Sequence, residues 1–246
     1  MIHTVIHSSA RAVADAVALF LADCLQEDPG LVLGLPTGRT PVPMYRALVR
    51  LHRQGRVDFS RATTFNLDEF VGLPAEHPGT YRAFMERHLF AHVNLNPART
   101  HVPHGDAASP RAEAARYEAM IAAAGGLDVA VIGIGGNGHI GFNEPAASLP
   151  AGTNVVTLRR ASRAANAAAF GGQLARVPHR AISMGVGTIL SARHVLLLAT
   201  GADKADIVAK ALRGPVTTRV PASLLQLHPR AAVILDRAAA KKLTSR

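Results

Sequence analysis

A strand-like apolar run and a glycine-containing turn follow one another in Leu31-Val-Leu-Gly-Leu-Pro-Thr-Gly-Arg-Thr-Pro41. A short apolar run bounded by turn residues predicts a buried β-strand, and the stretch Pro41–Gln54 that follows has the spacing of an amphipathic helix. Pro41 fits the first turn of that helix, where its missing N–H costs no hydrogen bond. The segment therefore predicts a strand that leads directly into a helix.

The same alternation continues along the chain. Apolar runs containing β-branched residues predict four further strands, at Thr63–Leu67, Val129–Ile134, His194–Ala199 and Ala232–Leu235. Amphipathic stretches predict helices at Ala10–Gln26, Thr80–Phe90, Pro110–Ala124 and Lys204–Leu212. Strands alternating with helices predict an α/β fold, a three-layer Rossmann-like domain with a mainly parallel sheet flanked by helices. No repeat or linker divides the chain, so residues 1–246 are expected to form a single domain.

Composition excludes several classes of protein. The chain has 246 residues, of which 48% are hydrophobic and 18% charged, as is typical of a globular protein with a sizeable core. No apolar stretch approaches the roughly 20 residues of a membrane helix, and the first residues lack the pattern of a secretory signal. The single cysteine, Cys24, excludes an internal disulfide. We expect a cytoplasmic protein that does not bind membranes.

The formal net charge of +10 is unusual, yet its distribution does not indicate nucleic-acid binding. No basic run exceeds two residues, and aromatic residues make up only 4% of the chain. One stretch is more informative, because the sequence between Glu144 and Asp203 has six arginines and no acidic residue. Such a stretch favours a small anionic ligand, such as a phosphate ester, nearby.

In open α/β sheets, ligands bind beyond the carboxyl ends of the strands, so the loops that follow strands are the candidate site. The loop Pro36–Pro41 offers a glycine, the hydroxyls of Thr37 and Thr40, and the start of a helix. These features suit a phosphate group, but an ordinary strand-to-helix turn has them too. After the next strand, Asp68 and Glu69 fit either a general base with its orienting partner, or a helix-capping acid beside a surface acid.

A third loop is Gly133-Ile-Gly-Gly-Asn-Gly-His-Ile-Gly-Phe-Asn-Glu-Pro145. It contains Gly-x-Gly-x-x-Gly, the phosphate-binding pattern of dinucleotide sites, which requires a helix next and an acidic residue about 20 residues further on. Gly141 and Pro145 oppose the helix, and the acid-free stretch supplies no acid. A nicotinamide or flavin cofactor is therefore not expected. The loop instead presents His139 and Glu144 as a candidate proton-transfer group, the alternative being a structural histidine.

Metal-binding signals are weak. His88 and His92 are four residues apart, and His101 and His104 are close in sequence, but none of them has the carboxylate context of a zinc motif. These histidines fit a solvated surface better than a metal site, so no metal is expected.

At the three loops the sequence resembles the glucosamine-6-phosphate deaminase family, also called the glucosamine-6-phosphate isomerases. The matching motifs occur in the family's order and together cover nearly the whole chain: Leu33–Pro41, Phe65–Leu73 with His77-Pro78, Gly133–Pro145, Gly185–Thr188, Thr200–Lys204 and Leu225–Arg230. The second and third motifs are the most specific. The related 6-phosphogluconolactonases lack the Phe-Asn-Glu-Pro continuation of the third.

The resemblance implies a cofactor-free conversion of glucosamine 6-phosphate to fructose 6-phosphate and ammonia, a step of amino-sugar catabolism. By analogy, His139 supported by Glu144 helps to open the pyranose ring by protonating the ring oxygen. Asp68 then moves a proton between C2 and C1. Asn137 occupies a position where some members carry an acidic partner of the histidine and shorter members carry asparagine.

By the same resemblance, one loop and one lysine hold the phosphate group: Thr37, Gly38, Arg39, Thr40 and Lys204. Two positions depart from the family's pattern. Arg39 stands where members usually have glycine or serine, and Ala168 aligns with a position that is usually arginine. Arg39 or Arg163 is therefore a candidate to replace that phosphate ligand.

Alternatives to this function remain at this point. They are a deaminase for a neighbouring substrate such as galactosamine 6-phosphate, a 6-phosphogluconolactonase-like hydrolase, and a non-catalytic sugar-phosphate sensor. The segment Asn143-Glu144-Pro145 argues against the lactonase, and the presence of Asp68 and His139 argues against the sensor. We expect a monomer or a small homo-oligomer.

Overall fold

Strands and helices alternate through residues 2–244, which the computed structural model describes. The strands are β1 His3–His7, β2 Val32–Leu35, β3 Thr63–Asn66, β4 Asp68–Phe70, β5 Thr100–His101, β6 Val129–Gly133, β7 Asn154–Thr157, β8 Arg180–Ser183, β9 His194–Ala199 and β10 Ala231–Asp236. The α-helices are α1 Ala10–Glu27, α2 Val42–Arg53, α3 Tyr81–His88, α4 Pro110–Ala123, α5 Arg160–Asn166, α6 Val186–Leu190, α7 Ala205–Arg213 and α8 Lys241–Thr244. Short 3₁₀-helices occupy Phe90–His92, Pro97–Arg99, Ala167–Phe170, Leu174–Arg176, Ala202–Lys204 and Pro221–Leu227. None of the helices in this range is long and apolar enough to cross a membrane.

Seven strands form the central sheet in the order β1-β10-β9-β6-β2-β3-β5, and each neighbouring pair is parallel. This confirms the α/β fold with a mainly parallel sheet. A smaller sheet, β4-β8-β7, is antiparallel. Its first strand begins just past the carboxyl end of β3, so the small sheet extends from the same edge at which the central strands end.

Helices cover both faces of the central sheet. On one face, α1 and α2 pack against strand residues such as Val131 and Leu198. On the other face, α4, α6 and α7 pack against their sequence neighbours Ile132 and Leu197. Strands that are buried on both faces need apolar residues at every position, which explains their continuous apolar runs.

The direction of the chain through the sheet changes between β2 and β6. From β2 the chain proceeds to β3 and β5 on one side, whereas from β6 it proceeds to β9 and β10 on the other. The loops that follow β2 and β6 therefore diverge and open a crevice at the carboxyl edge of the sheet, where ligands bind in this architecture. The loops Pro36–Pro41 and Gly133–Pro145 follow these two strands, so the topology places them beside that crevice.

Several elements differ from the prediction. Strands β1 and β5 and the whole small sheet were not predicted, because β1 is a half-exposed edge strand and the others have only two to four residues. Pro41 is the residue that precedes α2 rather than part of its first turn. The helix predicted from Lys204 begins at Ala205, after a 3₁₀ turn that ends at Lys204.

Candidate active site

Asp68 begins β4 and is buried, with 6% of its surface exposed. Within residues 2–244 its carboxylate has no hydrogen-bond partner. Burial disfavours the charged form and the charge of Glu69 adds repulsion, so the pKa of Asp68 rises from 3.8 to about 8. A carboxylate with that pKa can accept and return a proton near neutral pH.

Glu69 points to the opposite face of β4, because successive residues of a strand alternate in direction. Its Oε1 accepts hydrogen bonds from the N–H groups of Phe70 at 2.8 Å and Tyr81 at 2.9 Å, and its Oε2 accepts one from Arg82 at 3.0 Å. Burial raises the pKa of Glu69 to about 7, and these three hydrogen bonds oppose the shift. Tyr81 and Arg82 begin α3, so Glu69 caps that helix and does not orient Asp68.

The side chains of His139, Asn137 and Glu144 form a chain of polar contacts on the Gly133–Pro145 loop. Nδ1 of His139 lies 2.7 Å from Oδ1 of Asn137, and Nδ2 of Asn137 donates to Oε2 of Glu144 at 2.6 Å. Because an amide oxygen only accepts, this arrangement assigns the ring proton to Nδ1 and leaves Nε2 as the free acceptor. Nδ1 and Oε2 themselves are 3.7 Å apart, so Asn137 bridges histidine and glutamate.

Glu144 carries its negative charge in a half-buried position. Burial alone would raise its pKa, but the contacts with His139, Ser162 and Asn137 outweigh burial and lower the pKa to about 2. Nε of Arg159 lies 3.9 Å from Oε2 and adds a partly exposed positive charge. The carboxylate is therefore ionised throughout the neutral range and can stabilise a positive charge on the imidazole.

The glycine-rich loop lies against Asp68. A β-carbon on Gly141 would be 3.7 Å from Oδ2 of Asp68 and 3.6 Å from Nδ2 of Asn143. Asn143 is buried, and its Nδ2 donates to two backbone carbonyls at 2.8 and 3.0 Å, which holds the loop in place. The structure thus brings Asp68 together with the loop that carries His139.

The loop Pro36–Pro41 turns at Gly38, whose φ of 93° lies in the left-handed region. Within residues 2–244 the backbone N–H groups of Gly38, Arg39 and Thr40 have no hydrogen-bond partner, and no side chain caps α2. Successive free N–H groups at the start of a helix form a cradle for an anion. The adjacent Thr37 lowers the pKa of Tyr81, against the stronger effect of burial.

The two arginines that the resemblance makes candidate phosphate ligands, Arg39 and Arg163, have different surroundings. Arg163 is buried, and it donates to the carbonyls of Val177 at 3.1 Å and Leu174 at 2.8 Å. Arg39 is exposed and makes no ion pair or hydrogen bond through its side chain within the described residues. Arg163 therefore supports the local backbone, whereas Arg39 is free to bind a ligand.

Lys204 lies on the loop that follows β9, a strand separated from β2 by β6 and hence about 10 Å from β2 in the sheet. Its side chain is 22% exposed, and its Nζ is 4.0 Å from a carboxylate oxygen of the exposed Asp203. Gly201 shapes this loop with a φ of 94°, and its N–H is held at 3.1 Å by the buried carboxylate of Asp236. Lys204 thus stands at the same edge of the sheet as the phosphate-loop candidate.

Two polar residues near the site were not predicted. Ser162 donates to Oε1 of Glu144, and Tyr81 donates through its hydroxyl to Oδ1 of Asn166 at 3.1 Å. Burial and the charge of Asp68 raise the pKa of Tyr81 well above its ordinary value. Ser162 and Asn166 lie one turn apart on α5, a short helix whose composition shows no amphipathic pattern.

A cavity of about 480 Å³ lies at the opposite edge of the sheet, where β1, β9 and β10 begin. His3, His194 and His228 line it, and both ring nitrogens of His228 already contact backbone atoms. This cavity is remote from Asp68 and lacks a carboxylate. Across the described part of the chain, no group of three or more His, Cys, Asp or Glu side chains is arranged to hold a metal ion.

The sequence model of the glucosamine-6-phosphate isomerases/6-phosphogluconolactonase family matches residues 6–234. The chain belongs to this family. It is 50% identical over 240 residues to glucosamine-6-phosphate deaminase of Cellvibrio japonicus, covering 98% of this chain and 91% of that protein. It is 49% identical over 231 residues to glucosamine-6-phosphate deaminase 2 of Bacillus subtilis, covering 93% of this chain and 92% of that protein.

Solved structures of the family show the same architecture. A monomeric glucosamine-6-phosphate deaminase matches with a TM-score of 0.95 and 41% identity, covering 98% of this chain and 100% of that chain. The 6-phosphogluconolactonase from Trypanosoma cruzi matches with a TM-score of 0.79 but only 18% identity, covering 100% of this chain and 98% of that chain. The second likeness shows the fold alone. The resemblance drawn from the sequence motifs is confirmed.

Proposed function

We propose that this enzyme converts glucosamine 6-phosphate and water to fructose 6-phosphate and ammonia. The observation that carries the proposal is the buried carboxylate of Asp68, which has no hydrogen-bond partner among the described residues. It lies beside a loop on which an ionised carboxylate holds a histidine through an asparagine. Isomerisation needs a base at carbon, and opening of a sugar ring needs a proton carrier at oxygen. The relatives of similar length that are named glucosamine-6-phosphate deaminase support the same substrate.

Ring opening is the proposed task of His139. Its free Nε2 accepts the proton of the C1 hydroxyl and delivers it to the ring oxygen as the bond between C1 and that oxygen breaks. The imidazole becomes positively charged in passing, and the ionised Glu144 stabilises that charge through Asn137. The product is the open-chain aldehyde.

Asp68 is the proposed base for isomerisation. It removes the proton from C2, and the electrons of that bond form a double bond between C1 and C2 while the aldehyde oxygen takes a proton from water. Asp68 then returns its proton to C1, and the nitrogen gives up a proton to the hydroxide that remains, which leaves a neutral imine at C2. Water adds to this imine, ammonia leaves, and the ketose remains. A base with its pKa near 8 is suited to both halves of the transfer, because neither protonation state is strongly disfavoured.

The phosphate group is the proposed ligand of the loop after β2. Backbone N–H groups of Gly38, Arg39 and Thr40 and the hydroxyls of Thr37 and Thr40 supply neutral donors. Arg39 and Lys204 supply the positive charge that a phosphate monoester requires. A cytoplasmic location and a monomeric or small homo-oligomeric state belong to the same proposal, and the monomeric solved relative supports the latter.

An assay for ammonia release tests the proposal with a panel of glucosamine 6-phosphate, galactosamine 6-phosphate and their N-acetylated forms. We expect ammonia and fructose 6-phosphate from the first compound. A clear preference for galactosamine 6-phosphate would change the substrate but keep the reaction. Absence of ammonia from all of them, together with hydrolysis of 6-phosphogluconolactone, would replace the proposal with the lactonase.

A further inference from the structure

The two carboxylate oxygens of Glu144 have different partners. Oε2 accepts from Nδ2 of Asn137 at 2.6 Å and lies within 4 Å of nitrogens of His139 and Arg159. Oε1 has one hydrogen-bond donor in the described part of the chain, the hydroxyl of Ser162. Ser162 therefore decides how the plane of the carboxylate is oriented.

Ser162 reaches Glu144 from another element. It lies in the first turn of α5, 18 residues further along the chain, and it is buried with 4% exposed. A serine in a helix often returns its hydroxyl to the carbonyl four residues earlier. Here the hydroxyl turns outward from the helix to the carboxylate instead. Because Ser162 is buried, the contact belongs to the folded structure rather than to a solvated surface.

The start of α5 also contacts the backbone beside Glu144. Arg159, the residue that precedes α5, donates through Nη2 to the carbonyl oxygen of Pro145 at 2.5 Å. Its guanidinium is half-exposed, so its electrostatic effect on Glu144 is screened by solvent. Two consecutive contacts, one to the side chain of Glu144 and one to the next peptide group, thus attach the glycine-rich loop to α5.

We propose that Ser162 is a positioning residue of the site: its hydroxyl orients the carboxylate of Glu144 so that Asn137 and, through it, His139 keep their arrangement. The inference rests on the function proposed above for His139. Without the hydroxyl, Oε1 has no donor and the carboxylate rotates to seek one. Asn137 then loses a fixed acceptor for its Nδ2, and its Oδ1 no longer holds the ring proton of His139 on Nδ1.

The test combines a spectrum of the ligand-free protein with steady-state kinetics. Nitrogen-15 spectra of the histidine rings at pH 8 report which ring nitrogen of His139 carries the proton, independently of any substrate. Ammonia release from glucosamine 6-phosphate gives kcat and KM. The variants are Ser162→Ala, Ser162→Thr, which keeps the hydroxyl, and Ser162→Cys, which keeps the volume with a weak donor. Ser148→Ala is the control, because Ser148 is exposed and makes no hydrogen bond within the described residues.

For Ser162→Ala we expect a mixture of the two ring tautomers and a kcat lowered roughly tenfold, the scale of one charge-assisted hydrogen bond, with KM within about twofold of wild type. Ser162→Thr should restore both readouts, Ser162→Cys should be intermediate, and Ser148→Ala should match wild type. A wild-type tautomer spectrum in Ser162→Ala, or a loss confined to KM, overturns the proposal. If the wild type releases no ammonia, the proposed function fails, while the tautomer spectra still decide the role of Ser162.

Discussion

The imidazole of His139 lies directly over the backbone of Gly135. A β-carbon on Gly135 would fall 2.1 Å from Cε1 of the ring and 2.3 Å from each ring nitrogen. The peptide groups of the same two residues are joined, since the N–H of Gly135 donates to the carbonyl of His139 at 2.9 Å. The ring can occupy its place only because residue 135 has no side chain.

Gly135→Ala should therefore displace the imidazole and lower kcat by about 100-fold, the scale of an ångström-sized misplacement of a catalytic group. Gly136→Ala is the matched control, since a β-carbon there meets no atom within 4 Å. Ammonia release and far-ultraviolet circular dichroism measure activity and folding together. Equal activity of the two alanine variants would remove the histidine from the mechanism.

Asp68→Asn should abolish exchange of the C2 proton with solvent while leaving substrate affinity within a few-fold of wild type. The amide has the shape of the carboxylate but cannot accept the proton. Deuterium incorporation from heavy water and a binding titration measure the two properties separately. Asp23→Asn, an exposed substitution on α1, is the control and should change neither. Exchange that persists in Asp68→Asn at the wild-type rate would assign the base elsewhere.

The same substitution should stabilise the protein in a pH-dependent way. The unfolded chain releases the proton of Asp68 near pH 4, but the folded protein keeps it until about pH 8. Between these values the folded state binds the extra proton, so wild-type stability falls as the pH rises, by up to about 1.4 kcal/mol per pH unit from this group. The asparagine of Asp68→Asn does not titrate, so the variant does not lose stability in this way as the pH rises.

Urea unfolding at pH 5, 6, 7 and 8 measures this effect. The free energy of unfolding of Asp68→Asn should exceed that of wild type by an amount that grows across the series and levels off above pH 8. A difference that stays constant from pH 5 to pH 8 would show that Asp68 ionises normally in the folded protein. Burial of Asp68 would then not be what tunes its pKa.

Arg39→Ala should raise KM for the phosphorylated sugar about tenfold or more, because a charge-assisted hydrogen bond contributes roughly 1.5–3 kcal/mol. The kcat of Arg39→Ala should change less. The phosphate is remote from C1 and C2, so its contacts stabilise the bound substrate and the transition state by nearly the same amount. Arg39→Lys should recover part of the loss, because lysine restores the charge but not the two-pronged contact.

Arg53→Ala is the control for that prediction. Arg53 is exposed at the far end of α2, the helix into which the phosphate-loop candidate leads, so its loss should leave KM unchanged. Steady-state kinetics of the three variants measure the comparison. An unchanged KM in Arg39→Ala would leave Lys204 as the proposed source of positive charge, because Arg163 already donates to two carbonyls.

Five of the seven strands of the central sheet were predictable because they are largely buried. The five predicted strands correspond to β2, β3, β6, β9 and β10. Their runs are short and bounded by turn residues, which indicates strands rather than helices. The small sheet was not predictable in the same way. Its strands have three or four residues and include polar and charged side chains such as those of Asp68, Asn154 and Arg180. The local composition therefore does not favour the strands that pairing with neighbouring segments produces.

The candidate site likewise has residues that the sequence predicted and residues that it did not. Asp68, His139 and Glu144 follow strands, and the topology of parallel sheets places such residues at one edge. The side chains of Asp68 and Glu69 point to opposite faces because both residues belong to β4. That strand forms only by pairing with β8, so the sequence did not show the difference. Ser162 was equally hidden, since its partner lies 18 residues away and no periodic signal marks α5.

The pairing of β1 with β10 bears on the order in which this chain folds during synthesis. His3 lies beside Ala232, and β10 separates β1 from every other strand of the central sheet. Strand β1 therefore has no neighbour in the central sheet until β10, more than 220 residues further along the chain, has been made. In the meantime its backbone donors and acceptors are unpaired, and pairing over so long a loop is slow. We expect nascent chains that stop short of β10 to depend on chaperones, and the sheet to close at its outer edge late in folding.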